Sequence, residues 1–165
     1  MKFWFYTLLA SLTLAGCSKQ EDVFYSTVYP VTEIQVQYTT QKSESDYLAQ
    51  LEELTAAATA EAPVKAGGYY HLDFSRHNGG ELYVMPNEGS EVISGEFDKK
   101  PASDKMTFRY GEQAYEVQIT SYSNAEEVRC VCFEVDLTEA YKQAYQIEDE
   151  SFKLIRRELT AHIYD

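Results

Sequence analysis

From residue 23 onward, apolar and polar positions alternate in short runs, interrupted by two stretches with helical spacing. Val23 to Thr39 reads as extended: Ile34, Val36 and Tyr38 alternate with Glu33, Gln35 and Gln37, the period of a half-buried strand. Pro30 has no N–H to give to a ladder, so it marks a bulge, a turn or an edge position within that run. The spacing then predicts a helix over about 44–61. Ser43 and Asp46 form a capping-box-like start, Leu48, Leu51, Leu54 and Ala58 recur along one side, and Pro63 with Gly67-Gly68 ends the element.

Strand periodicity resumes at Tyr69. Tyr70, Leu72 and Phe74 share a face, and Asn78-Gly79-Gly80 is a hairpin signal. Leu82–Met85 follows, then a turn at Asn87–Gly89 and a weaker strand from Val92 to Phe97 with Gly95 inside it. A loop from Asp98 to Asp104, containing Pro101, leads to Met106, Phe108 and Tyr110, which oppose Lys105, Thr107 and Arg109. Gly111–Gln113 turns the chain into Tyr115, Val117 and Ile119. Ser121 to Glu126 reads as polar loop, and Val128–Asp136 is the most apolar strand.

A second helix is expected over about 137–146. Leu137, Ala140, Tyr141, Ala144 and Tyr145 fall at i, i+3, i+4, i+7 and i+8, with Asp136 and Thr138 as caps. A final strand runs from Phe152 to about Tyr164, with Ile155, Leu159, Ala161 and Ile163 inward and Arg157 a misfit on that face. Strands in runs with only two helices predict the α+β class: a predominantly antiparallel sheet of about seven to nine strands. The preferred form is curled or partly closed as a barrel, with the helices over one side or end. At 165 residues, 44% of them hydrophobic, residues 23–165 can build the core of one domain.

The N-terminus follows a different pattern. Met1-Lys2 is followed by an apolar run from Phe3 to Leu14, broken only by Thr7, Ser11 and Thr13. Twelve residues fall short of the roughly 20 needed for a membrane-spanning helix and suit the apolar part of a signal peptide. The tetrapeptide Leu14-Ala15-Gly16-Cys17 resembles the lipobox of bacterial lipoproteins. The resemblance implies that residues 1–16 are a signal peptide and that Cys17 carries a diacylglycerol and becomes the first mature residue. Residues 17–22 would be a lipidated tether. Each buried methylene contributes about 0.8 kcal/mol, so two or three acyl chains hold a protein firmly. Ser18 after the cysteine, where inner-membrane retention resembles an aspartate signal, points to the outer membrane. Ser18-Lys19-Gln20-Glu21-Asp22 resembles the short acidic surface-export signals of some Gram-negative anaerobes, with Lys19 a departure from an all-acidic version. The expected location is therefore the outer membrane, lipid-anchored and surface-exposed, with the periplasmic face as the alternative. A tether of about five residues at ~3.3 Å each keeps the domain within ~20 Å of the bilayer.

Charge narrows the partners. Without Lys2, 13 basic residues face 27 acidic ones, a balance that repels nucleic acid and anionic lipid surfaces. Neutral glycans, cationic ligands and other proteins remain.

Candidate chemistry is sparse. Cys130 and Cys132 project to one face of an extended strand with Cα atoms about 6.6 Å apart and parallel Cβ vectors. They should not bridge each other while the strand is regular, and Cys17 is taken by lipid. With Glu134 and Asp136 they form a Cys-x-Cys-x-Glu-x-Asp row, but a zinc site wants loop geometry and further thiolates or histidines. Buried core thiols are the expectation. His71, Asp73 and Ser75 share a strand face, with His77 beyond; parallel neighbours on one strand do not converge as a triad does. No nucleophile elbow, metalloprotease helix, phosphate loop or dinucleotide fingerprint occurs, so no catalytic residue, metal or cofactor is assigned.

Tyrosine is the compositional oddity, with 14 residues. Tyr38, Tyr70, Tyr110, Tyr115, Tyr141 and Tyr145 fall on expected inward faces; Tyr25, Tyr29, Tyr69, Tyr83, Tyr122 and Tyr164 do not. Exposed tyrosines suit recognition, giving a rigid apolar face with a polar tip. The sequence therefore points to a non-enzymatic binding module for a protein, peptide or glycan. The alternatives are a small hydrolase whose residues converge only in three dimensions, and a cavity-forming carrier of an apolar ligand.

Overall fold

The computed structural model describes residues 26–42, 48–123 and 129–161. Its strands are β1 (Ser26–Thr39), β2 (Tyr69–Arg76), β3 (Gly79–Met85), β4 (Ile93–Lys99), β5 (Lys105–Tyr110), β6 (Gln113–Ser123), β7 (Arg129–Asp136) and β8 (Lys153–Thr160). Helix α1 (Leu48–Ala60) lies between β1 and β2, and α2 (Thr138–Tyr145) between β7 and β8. Each strand pairs antiparallel with its sequence neighbour, and β8 pairs with β1, so the eight strands close into a barrel. The α+β, mostly antiparallel expectation holds, and the ring of strands closes, so no strand is left with a full-length open edge as in a flat sheet.

Inward positions alternate along every strand. Tyr70, Leu72 and Phe74 of β2, Leu82 and Val84 of β3, Met106, Phe108 and Tyr110 of β5 and Phe133 and Val135 of β7 form one buried cluster. Tyr70, Phe97, Phe108 and Phe133 are fully buried, and their ring centroids lie 5.1 to 6.5 Å apart. Aromatic rings thus fill the middle of the barrel. At about 1.5–3 kcal/mol per fully buried large side chain, this cluster is the main source of stability.

Two strands change partner midway. Residues 26–30 of β1 pair with β2, and its remainder pairs with β8. Pro30 sits at that changeover, beside a register shift between Val31 and Glu33, where a residue without an N–H is tolerated. Strand β6 pairs with β5 over Gln113–Gln118 and with β7 over Gln118–Ser123.

Both helices lie at one end of the barrel. Leu51, Leu54 and Ala58 of α1 and Tyr141 of α2 bury with Ile147, Phe152 and Leu154 over the inward residues Val36 and Tyr38. The Tyr141 hydroxyl donates to Glu61 at 2.7 Å and ties the helices together. In α2 the expected apolar stripe is only partly used: Ala140 and Ala144 are exposed, while Thr138 is buried. Its hydroxyl accepts the N–H of Leu154, and Asp136 accepts the N–H of Thr138, each at about 3 Å.

Strand β8 departs most from expectation. Leu154, Arg156, Glu158 and Thr160 are the inward set, whereas Ile155 and Arg157 sit half-buried on the outer face. Leu159, expected inward, is buried but shares that outer parity, and Ala161 follows the strand; Ile163 and Tyr164 lie outside the described residues. The expectation followed apolar character alone, and it inverted the face because the charged pair is satisfied inside the barrel. Two smaller shifts occur. Strand β6 runs on through Ser123, and the β2–β3 turn is His77-Asn78, with Gly79 already paired to Arg76.

The close approach of β2 to β3 depends on Gly80. A methyl placed there would lie 1.8 Å from the Asp73 carbonyl oxygen, so Gly80→Ala must shift backbone. We expect a loss of about 1–3 kcal/mol, read as a lower urea midpoint; an unchanged midpoint would contradict the close approach.

Candidate binding surface

Outward residues of β1, β2 and β3 line up in cross-strand rows. Val28 pairs with His71 and His71 with Tyr83; Pro30 pairs with Tyr69 and Tyr69 with Met85. All six have the parity opposite to the inward Tyr70, Leu72, Leu82 and Val84, so they form one patch on the outer wall. Val28 is 39% exposed, and the rest of the patch is half-buried. The His71 and Tyr83 rings lie 5.3 Å apart and tilted by 32°, and the Ser26 hydroxyl is 2.5 Å from His71 Nε2. The helices pack elsewhere, over Val36, Tyr38 and Leu154.

The next row bears charge. Asp73 pairs with Glu81 and Glu81 with Glu96, so three carboxylates stand side by side. Glu96 has Arg76 at 3.6 Å and Arg109 at 3.3 Å. Arg109 also bonds Asp98, whose carboxyl is held below its usual range by that hydrogen bond. Asp73 and Glu81 form no ion pair among the described residues. Like charges directly opposite on a sheet are unfavourable, and here only the Tyr83 hydroxyl, donating to Glu81, eases the contact. That bond raises the Tyr83 phenol above its usual pKa.

Inside the barrel lies a second polar group. Tyr70 donates to Glu158 at 2.5 Å, and Arg156 Nε donates to the other carboxylate oxygen at 3.1 Å. The Tyr115 hydroxyl lies 3.3 Å from that of Tyr70 and 3.0 Å from that of Tyr110. Glu158 is 1% exposed and Arg156 5%. Burial raises the Glu158 carboxyl against the opposing pull of Arg156, and it raises Tyr70 and Tyr115 well above the phenol range and Tyr110 to about 12. These groups face packed rings, so the knot orders the core.

The other candidates are placed as follows. His71 meets the hydroxyl of Ser26, not of Ser75, and does so on the outer wall instead of in a cleft. His77 is in the exposed β2–β3 turn. Cys130 and Cys132 are not joined in a disulfide and are buried, as expected, yet they face outward, opposite to the inward Phe133 and Val135. Burial raises the Cys132 thiol. Glu134 of that row bonds Arg157 at 2.9 Å, and Asp136 caps α2. Among the described residues no three metal-ligating side chains gather. Of the tyrosines expected off the inward faces, Tyr69, Tyr83 and Tyr122 are on the outer wall, with Tyr122 bonded to the Thr160 carbonyl. Tyr29 turns inward, edge-on to Phe133. Cys17, Tyr25 and Tyr164 lie outside the described residues. No helix among the described residues is long and apolar enough to cross a membrane. No family model, curated protein or solved structure matches the chain.

Because the Glu158 carboxyl is raised in the fold, the folded protein holds that proton more tightly than the unfolded chain does. Its contribution is present below the ordinary carboxyl range and is lost as pH rises through the raised value. Wild type should therefore lose melting temperature from about pH 4.5 upward, and Glu158→Gln should lack that component. Parallel profiles for the two proteins would refute this.

Proposed function

We propose that this protein is an outer-membrane lipoprotein, held by acyl chains on Cys17 and acting as a non-enzymatic docking module for a protein partner. The observation that carries the docking reading is the wall of β1–β3. Val28, Tyr69, His71, Tyr83 and Met85 offer contiguous aromatic and apolar surface, and Asp73 and Glu81 border it with no ion pair among the described residues. Tyrosine and methionine are enriched at the centres of interfaces, with polar residues at the rim. The complementary partner is apolar at the middle of its contact surface and basic at the edge, which suits a chain that carries −13 overall. A carrier of an apolar ligand has less support, since rings occupy the barrel centre. A hydrolase has less support because His71 and Ser26 meet on an open wall.

The anchor is tested by mass spectrometry of the native protein. A mature chain starting at a diacylglyceryl-modified Cys17, and loss of membrane association in Cys17→Ser, are expected. An unmodified Cys17 overturns the location. The docking wall is tested by chemical crosslinking in intact outer membranes, with Tyr69→Ala/Tyr83→Ala as comparison. A defined crosslinked protein, reduced about tenfold or more in the double variant, is expected of a contact built on aromatic anchors worth about 1–2 kcal/mol or more each. Equal crosslinking in both proteins, or binding on a glycan array in its place, overturns the protein-partner reading.

A further inference from the structure

A second feature lies on the far side of the barrel, independent of the β1–β3 wall. Strands β6 and β7 pair from Ser123↔Arg129 up to Gln118↔Glu134, and there the ladder stops although both strands continue. The same register would next set Val117 beside Val135 and Glu116 opposite Asp136. The ladder ends at Gln118↔Glu134, before that carboxylate pair would form. The parting leaves a cleft of about 350 Å³, lined by Lys105, Tyr115, Glu116, Gln118, Glu134, Val135, Asp136, Leu137 and Ile155. Its floor is Tyr115, Val135 and Leu137, from the inward parity; its rim is charged.

Backbone direction adds a further constraint. The N–H of Ile119 donates to the Asp104 carbonyl at 2.7 Å, on the β5 side. N–H and C=O groups alternate sides along a strand, so those of Glu116 point toward β7. The N–H of Leu137 donates to Leu154 on the β8 side, so the backbone groups of Asp136 point back toward β6. Two strand edges therefore face each other across the cleft outside any ladder pair, the arrangement that accepts an added strand.

The rim charges are unequally matched. Glu116 has both Lys100 and Lys105, the latter at 2.7 Å, and they hold its carboxyl down to about 2. Glu134 has Arg157. Asp136 has the N–H of Thr138 and no ion pair among the described residues; Lys105, already bonded to Glu116, acts on it only at longer range.

We propose that the β6–β7 seam binds a short extended peptide with alternating apolar and basic residues. The segment adds as a strand along Glu116 and Asp136. Its apolar side chains turn in toward Tyr115, Val135 and Leu137, and a lysine or arginine turns out toward Asp136. Alternation follows from the two-residue period of a strand, and sign follows from Asp136, which has no ion pair of its own among the described residues.

The test uses the lipidated protein in detergent and three fluorescent pentapeptides: Val-Lys-Val-Lys-Val, the same sequence N-methylated on the backbone, and Val-Glu-Val-Glu-Val. Anisotropy should show binding of the first, roughly tenfold weaker binding of the second, the worth of one or two backbone hydrogen bonds, and none of the third. Asp136→Asn, which keeps a cap for Thr138, should weaken the first several-fold and reduce its salt dependence. Amide exchange at Glu116 and Asp136 should slow when peptide is bound. Failure of wild type to bind the basic peptide, equal affinity for the N-methylated form, or no effect of Asp136→Asn overturns the proposal. The peptide arms need no variant to fold. The double variant of the β1–β3 wall should bind the pentapeptide normally, which separates failure here from failure of the docking wall.

Discussion

The hydrogen bond from Tyr70 to Glu158, with Arg156 closing the other side of the carboxylate, is the contact on which the closed barrel depends. Strand β8 joins β7 to β1, so its register determines whether the sheet closes. Side chains alternate with period two, and a one-residue slip would exchange every inward residue for an outward one. A slipped β8 would lose the partners of Arg156 and Glu158 and leave the phenols of Tyr70, Tyr110 and Tyr115 buried beside apolar groups. Buried polar groups without partners cost about 1–3 kcal/mol each, and more when charged, so one arrangement is strongly preferred. Such a pair adds little net stability compared with an apolar filling; its contribution is to specify the register.

Charge on the outside is arranged differently. Arg76 and Arg109 neutralise Glu96 and Asp98 on the outer face of β4 and β5, and Lys100 and Lys105 neutralise Glu116. These exposed pairs are worth roughly 0–1 kcal/mol each. Among the acids that have no ion pair among the described residues are the Asp73–Glu81 row beside the β1–β3 patch and Asp136 at the β6–β7 seam. Each adjoins apolar surface, so a basic and partly apolar partner could gain both burial and charge pairing there. The barrel interior offers no such combination, because its polar atoms are turned toward one another.

Much of the fold was legible in the order of residues. Inward faces of β2, β3, β5 and β6 followed from alternation, and the α1 stripe from Leu51, Leu54 and Ala58, because those residues bury through contacts with neighbours of the same apolar kind. Strand β8 was misread for the converse reason. Ile155 looks like a core residue and Glu158 does not, yet burial of Glu158 depends on Tyr70, 88 residues earlier. The surplus of inward tyrosines was the one available signal, since several buried phenols require a buried acceptor. The β1–β3 patch was partly legible: Tyr69 and Tyr83 were expected off the inward faces. Their meeting with Val28 and His71 depends on pairing between strands some forty residues apart.

By itself, the chain's sequence determined the local elements, the class of the fold, the net acidity and the lipobox-like motif at Cys17. These are properties of spacing and composition within a few residues or over the whole chain. Tertiary structure decided the closure of the barrel, the inward face of β8, the outward direction of Cys130 and Cys132, and the stop in the β6–β7 ladder. Each of these turns on which distant groups become neighbours, and hydrogen bonds act only once pairing has brought them together.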